Sequence, residues 1–150
     1  MTDKAKDALG TVVHPRDDWL ATHASEDILD PTLPIVDAHH HLWNRGGHRY
    51  LLEELLADTG SGHNVVATVF VDCVAYYREQ GPAEMRPIGE TEFANGVAAM
   101  AASGAYGPTR ACAAIVSHAD LLRGGAVREV LEAHVHAGNG RFRGIRHASP

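Results

Sequence analysis

Ile35-Val36-Asp37-Ala38-His39-His40-His41-Leu42-Trp43 is a short apolar run that ends in three consecutive histidines. Side chains alternate along a β-strand with a period of two, so a strand here places Asp37, His39 and His41 on one face and His40 on the other. Two imidazoles on one face form half of a metal site. The competing reading is a solvated histidine cluster in a loop, but the apolar run before it and Leu42-Trp43 after it argue against free exposure.

Downstream, Asn44-Arg45-Gly46-Gly47 reads as a loop, and the leucines of 50–56 recur with the spacing of an amphipathic helix that Gly60-Ser61-Gly62 stops. Residues 65–72 are nearly all apolar and rich in valine, which suits a parallel strand buried on both faces. The connection 73–89 is longer than an ordinary strand-to-helix loop and therefore a functional candidate. A helix is predicted over 90–103, with Glu90 and Glu92 in the first turn, where the helix dipole favours acids. A third strand covers 111–116. Ser117 with Asp120 reads as a helix cap, a helix covers 126–137, Gly138-Asn139-Gly140 closes it, and a fourth strand covers 142–146. The β-α-β-α-β-α-β pattern argues for a parallel sheet with right-handed helical crossovers. A small doubly wound sheet and part of a (β/α)8 barrel, which takes about 250 residues when whole, both satisfy it.

Upstream, residues 1–34 form an irregular lead-in to the domain at 35–150. Pro31 and Pro34 favour an extended approach to the first strand, Trp19 and Leu20 are candidate anchors, and a short helical turn is predicted at 24–29.

A chain of 150 residues can build one domain with a real core. The formal charge is −6 with acids and bases interspersed, so no basic patch suits nucleic acid. Cys73 and Cys112 lack C-x-x-C spacing, which fits a reducing compartment. The N-terminus lacks the apolar core of a signal peptide, and no apolar run is long enough to span a membrane; a soluble cytoplasmic protein is expected, with neither membrane nor nucleic acid as partner. Of eleven histidines, His14, His23, His48 and His63 sit in polar or glycine-rich surroundings and read as solvated.

From Leu33 onward the chain resembles the amidohydrolase superfamily, through Pro34-Ile35-Val36-Asp37-Ala38-His39-His40-His41-Leu42-Trp43 and Phe142-Arg143-Gly144-Ile145-Arg146-His147. Within it, the chain is most similar to the amidohydrolase-related branch of sugar lactonases, pyrone-dicarboxylate lactonase and aromatic-acid decarboxylases. The resemblance implies the N-terminal half of a (β/α)8 TIM barrel with its site at the C-terminal ends of the strands. It implies a divalent metal, zinc or manganese, on His39 and His41, with Asp37 behind them, and hydrolysis of a small lactone or other cyclic ester or amide by metal-activated water. The family's later histidine and its general-base aspartate, on the fifth and eighth strands, have no counterpart here. The base is therefore expected beyond residue 150, and the chain is expected to be part of a longer hydrolase. Alternatives are a metal-independent lactonase, a decarboxylase, or a non-catalytic interaction module that self-associates through the unpaired edges of the first and fourth strands.

Four further residues are candidates for contact with a small-molecule substrate. Asp72 ends the second strand at the rim. Arg146, beside the small Gly144, suits a carboxylate or lactone oxygen by paired hydrogen bonds. His147 points the other way on a regular strand and is the weaker candidate. Tyr76, with Tyr77, lies in the long second loop over the mouth. His118 reads as a surface histidine in a capping turn, and His134 and His136 as histidines near a helix C-terminus without a catalytic role.

Overall fold

A computed structural model describes residues 16–24 and 26–148 of the chain. In order they form a single helical turn α1 (Asp17–Leu20), strand β1 (Ile35–His40), a hairpin of β2 (Trp43–Arg45) and β3 (His48–Tyr50), helix α2 (Leu52–Thr59), strand β4 (Val65–Val71), helix α3 (Ile88–Ala102), strand β5 (Arg110–His118), helix α4 (Val127–Ala137) and strand β6 (Phe142–Arg146). Short 3₁₀ turns lie at Ala83–Met85 and Leu121–Ala126.

The main sheet has four strands in the order β1-β4-β5-β6, and every neighbouring pair is parallel. Apart from the hairpin, strand order in space follows strand order in sequence. A doubly wound sheet needs a reversal, and none is present among these strands. The helices correspondingly meet one face. Phe70 of β4 and Ile115 of β5 pack with Leu52 and Leu55 of α2 and with Ala94, Val97, Ala98 and Ala101 of α3. Each large apolar side chain buried there contributes about 1.5–3 kcal/mol, and the alanines let α3 lie close to the sheet.

His40 is turned to that helix-covered face and is buried. Its Nε2 lies 2.8 Å from the Thr68 hydroxyl, which in turn accepts the Cys112 N–H at 3.0 Å. The middle histidine thus ties β1 to β4 and β5, and burial pushes its pKa down to about 4.

A second buried polar chain crosses from the sheet to the helices. Thr91 Oγ of α3 lies 2.6 Å from Ser117 Oγ and 2.8 Å from His134 Nδ1, and His134 Nε2–H donates to the His118 carbonyl at 2.9 Å. Neutral His134 satisfies every member, and burial holds its pKa below that of free imidazole. A depressed histidine stabilises the fold above its unfolded pKa of about 6.5 and loses that contribution as pH falls. The stability difference between the wild type and His134→Gln, read from urea midpoints, is therefore expected to shrink between pH 7 and pH 5.

Several local expectations are revised. Of the predicted loop at 44–47, Asn44 and Arg45 belong to β2, and only Gly46 and Gly47 form the hairpin turn, with φ of 58° and 76°, the double positive φ of a tight two-residue connection. Ser117 is not a helix cap. It continues β5, and Asp120 Oδ1 does the capping by accepting the Leu122 N–H at 2.9 Å. Residues 26–29 carry no helix, Ser25 lies outside the described residues, and the helical turn sits at α1 instead. Trp19 is 52% exposed and Leu20 53%, so neither anchors the lead-in. Its end is held by polar bonds, Asn64 Nδ2–H to the Thr32 carbonyl and the Ile35 N–H to the Asn64 carbonyl. Residues 1–15 of the predicted lead-in lie outside the described residues.

Candidate functional site

Parallel strands in one sheet all end on the same side, and here the four C-terminal ends bring together His39 of β1 and His41 just after it, Asp72 after β4, His118 of β5, and Arg146 of β6 with His147 just after it. The register sets this level: His40 pairs with Phe70, Val71 with Val116, and His118 with Arg146.

A register irregularity between Asp37 and His40 breaks the predicted alternation that joined Asp37 to the pair, but His39 and His41 still meet edge to face with Nε2 atoms 3.2 Å apart. The Val71 carbonyl, an obligate acceptor, lies 2.7 Å from His41 Nδ1. That nitrogen therefore carries the proton, and the Nε2 lone pair of His41 points toward His39. Asp37 accepts the His39 N–H at 3.1 Å, which stiffens the strand end from behind. Burial, reinforced by the charge of Arg146, keeps the His41 pKa below the usual imidazole value.

Two nitrogens on a tetrahedral centre with bonds of 2.0–2.1 Å stand about 3.3 Å apart. The observed separation of 3.2 Å matches that edge. The His41 nitrogen is in the ligating tautomer and its far nitrogen is held by a carbonyl, as metal-bound histidines usually are. The pair fits zinc or another divalent ion as two ligands. Among the described residues, no third histidine, cysteine or acidic side chain joins them in a metal-sized group.

Asp72 is 3% exposed. Its Oδ1 lies 3.9 Å from Arg146 Nε, and its Oδ2 is buried without a hydrogen-bond donor. The Arg146 side chain is 45% exposed. The expected rim position of Asp72 is a buried one.

Comparisons of the chain with protein-family models, curated proteins and solved structures find no match.

Of the remaining sequence candidates, Tyr76 stacks on Phe93 of α3 with ring centroids 3.8 Å apart. Its neighbour Tyr77 turns instead toward Asp72 and stacks near His118, and burial together with the Asp72 charge raises its phenol pKa. His147 is engaged structurally, its Nδ1 accepting the Leu121 N–H at 2.8 Å. His118, read from sequence as a capping-turn histidine, lies at the mouth. Its Nδ1–H donates to the Arg146 carbonyl at 3.2 Å, which leaves Nε2 as a lone pair. With Tyr77, Glu84, Pro87, Asp120 and Arg123 it lines a cavity of about 240 Å³.

Glu90, in the first turn of α3, is 1% exposed rather than set at a solvated helix end. Gly89 permits this: a Cβ there would stand 2.7 Å from the Tyr76 carbonyl oxygen, so only glycine lets the helix start so near the turn. Glu90 Oε1 accepts the N–H groups of Cys73 and Ala75, each at 3.2 Å, and Oε2 accepts that of Val74 at 3.1 Å. Three successive amides converging on a carboxylate form an anion nest filled from within. The cost is visible at Val74, a β-branched residue at φ 63°. Burial, with Asp72 alongside, pushes the Glu90 pKa up to about 8.

Proposed function

We propose that this chain carries the metal-binding and substrate-orienting side of a metal-dependent hydrolase of the amidohydrolase-related type, acting on a small lactone or other cyclic ester or amide. In this reading the sheet is the first four strands of a (β/α)8 barrel. Its unreversed strand order, with helices packed on one face, supports that assignment.

The observation that carries the reading is the facing of the His39 and His41 Nε2 atoms at 3.2 Å, with the His41 tautomer fixed by Val71. His39 and His41 would hold the ion; zinc or manganese bound there supplies Lewis acidity toward water and toward a substrate carbonyl. The protein's own groups do the rest. Arg146 offers its outer N–H groups to a substrate carboxylate or carbonyl oxygen, while Asp72 keeps the guanidinium at the strand end. The His118 Nε2 lone pair and the Tyr77 hydroxyl supply an acceptor and a donor at the same mouth.

The test is initial rates of the whole hydrolase that carries this chain on a panel of five- and six-membered lactones, with and without a carboxylate substituent, before and after chelation. Hydrolysis is expected to be lost on chelation, restored by zinc or manganese, and abolished in the His39→Ala, His41→Ala double variant. A rate that survives both chelation and the double substitution would overturn the metal-dependent reading.

A further inference from the structure

We infer that Glu90 is a positioning residue: fixed in its nest of backbone N–H groups, it shares one proton with Asp72, so that Arg146 faces one negative charge at the end of β4 instead of two. Both carboxyls are almost fully buried. Two adjacent buried carboxylates are costly to ionise together, because the three amides on Glu90 and the Arg146 guanidinium beside Asp72 offset only part of the desolvation and mutual repulsion. The hydrogen-bond inventory points the same way. Asp72 Oδ2 is buried and makes no hydrogen bond, the Tyr77 hydroxyl is turned toward the same carboxyl, and the carboxyl group of Glu90 lies against Asp72. Only a proton turns a contact between two acceptors into a hydrogen bond. The three amide bonds on Glu90 pin its carboxyl in place, so the shared proton also fixes Asp72.

The other charged or titratable groups around the pair are Arg146 from β6, Arg45 from β2, His41 just after β1, His134 from α4, and Cys73, Tyr76 and Tyr77 from the turn. Arg146 and Arg45 are the permanent cations among them: Arg146 Nε lies 3.9 Å from Asp72, and Arg45 Nη1–H donates to the Cys73 carbonyl at 3.2 Å. With one proton on the pair, a single negative charge faces the two guanidinium groups, and an incoming anion meets a positive balance. With the proton gone, the second carboxylate cancels that balance. This consequence rests on the hydrolase reading above and points to an anionic, carboxylate-bearing substrate; the shared proton itself does not depend on that reading.

The direct test is carboxyl ¹³C NMR on the whole chain labelled at Asp and Glu side-chain carboxyls, titrated without metal or substrate. The Glu90 signal is expected to move in one protonation step above the ordinary carboxylate range, and the Asp72 signal to respond at that same step through the shared hydrogen bond. In Asp72→Asn the Glu90 step is expected to fall toward that range, and in Glu90→Gln the high step is expected to vanish from Asp72. Two fully ionised signals from pH 6 upward in the wild type would overturn the inference, as would a Glu90 step unmoved by Asp72→Asn. The wild-type titration decides the matter even where a variant does not fold, and no outcome depends on metal binding or hydrolysis.

Discussion

Replacing Glu90 with alanine is expected to lower the stability of the chain by about 3–5 kcal/mol, measured from urea unfolding at pH 7. Truncation strips the acceptor from the N–H groups of Cys73, Val74 and Ala75 at once. Each donor left without a partner costs about 1–3 kcal/mol. It also removes what holds Val74 at φ 63°, so the turn relaxes and the register at the end of β4 goes with it. Part of the loss is returned, because the wild type keeps a carboxyl in an environment that resists ionisation. The sign of that term follows from its raised pKa of about 8. A carboxyl raised above its unfolded value stabilises the fold at low pH and loses that contribution as pH climbs toward the folded value, at up to about 1.4 kcal/mol per pH unit. The stability advantage of the wild type over Glu90→Gln should accordingly shrink from pH 5 to pH 8, opposite in direction to the His134 effect. A Glu90→Ala variant within about 1 kcal/mol of the wild type would show that the nest is not what orders the turn.

The second large effect separates three adjacent histidines by what each does. His39→Ala and His41→Ala should each weaken zinc binding by at least the about 10- to 100-fold that outer partners of metal ligands are worth, and the double variant should abolish it. His40→Ala should leave zinc affinity nearly unchanged while destabilising the fold, since it cuts the tie to Thr68 and Cys112. Competition against a chromophoric chelator reads the first property and urea unfolding the second. Equal affinity loss across the three single variants would mean that the alternation of the strand is not setting the site.

Alternation across the three histidines was legible in the sequence because a strand has a fixed period of two, and the same regularity made the four βα units visible. Glu90 was not legible. An acid in the first turn of a helix has a sufficient explanation in the helix dipole, and nothing local shows that three amides of a distant turn converge on it. Tyr76 and Tyr77 could not be told apart for a related reason. The turn between β4 and α3 has no period, so which ring faces the mouth is settled by the stacking of Tyr76 on Phe93, a contact 17 positions along the chain. Ser117 and His118 looked like a capping turn because they are polar after an apolar run; in the fold they extend β5, with Thr91, His134 and the Arg146 carbonyl as partners. Regular elements and what they space evenly were readable, whereas buried polar groups whose partners come from other elements were not.

X-ray absorption at the zinc edge on the zinc-loaded chain tests most directly whether His39 and His41 together bind a divalent ion through Nε2, as proposed. Two imidazole nitrogens are expected in the first coordination shell at about 2.0–2.1 Å, and their loss is expected in the spectrum of the double variant. A shell without imidazole, or one unchanged when both histidines are replaced, would contradict the proposal.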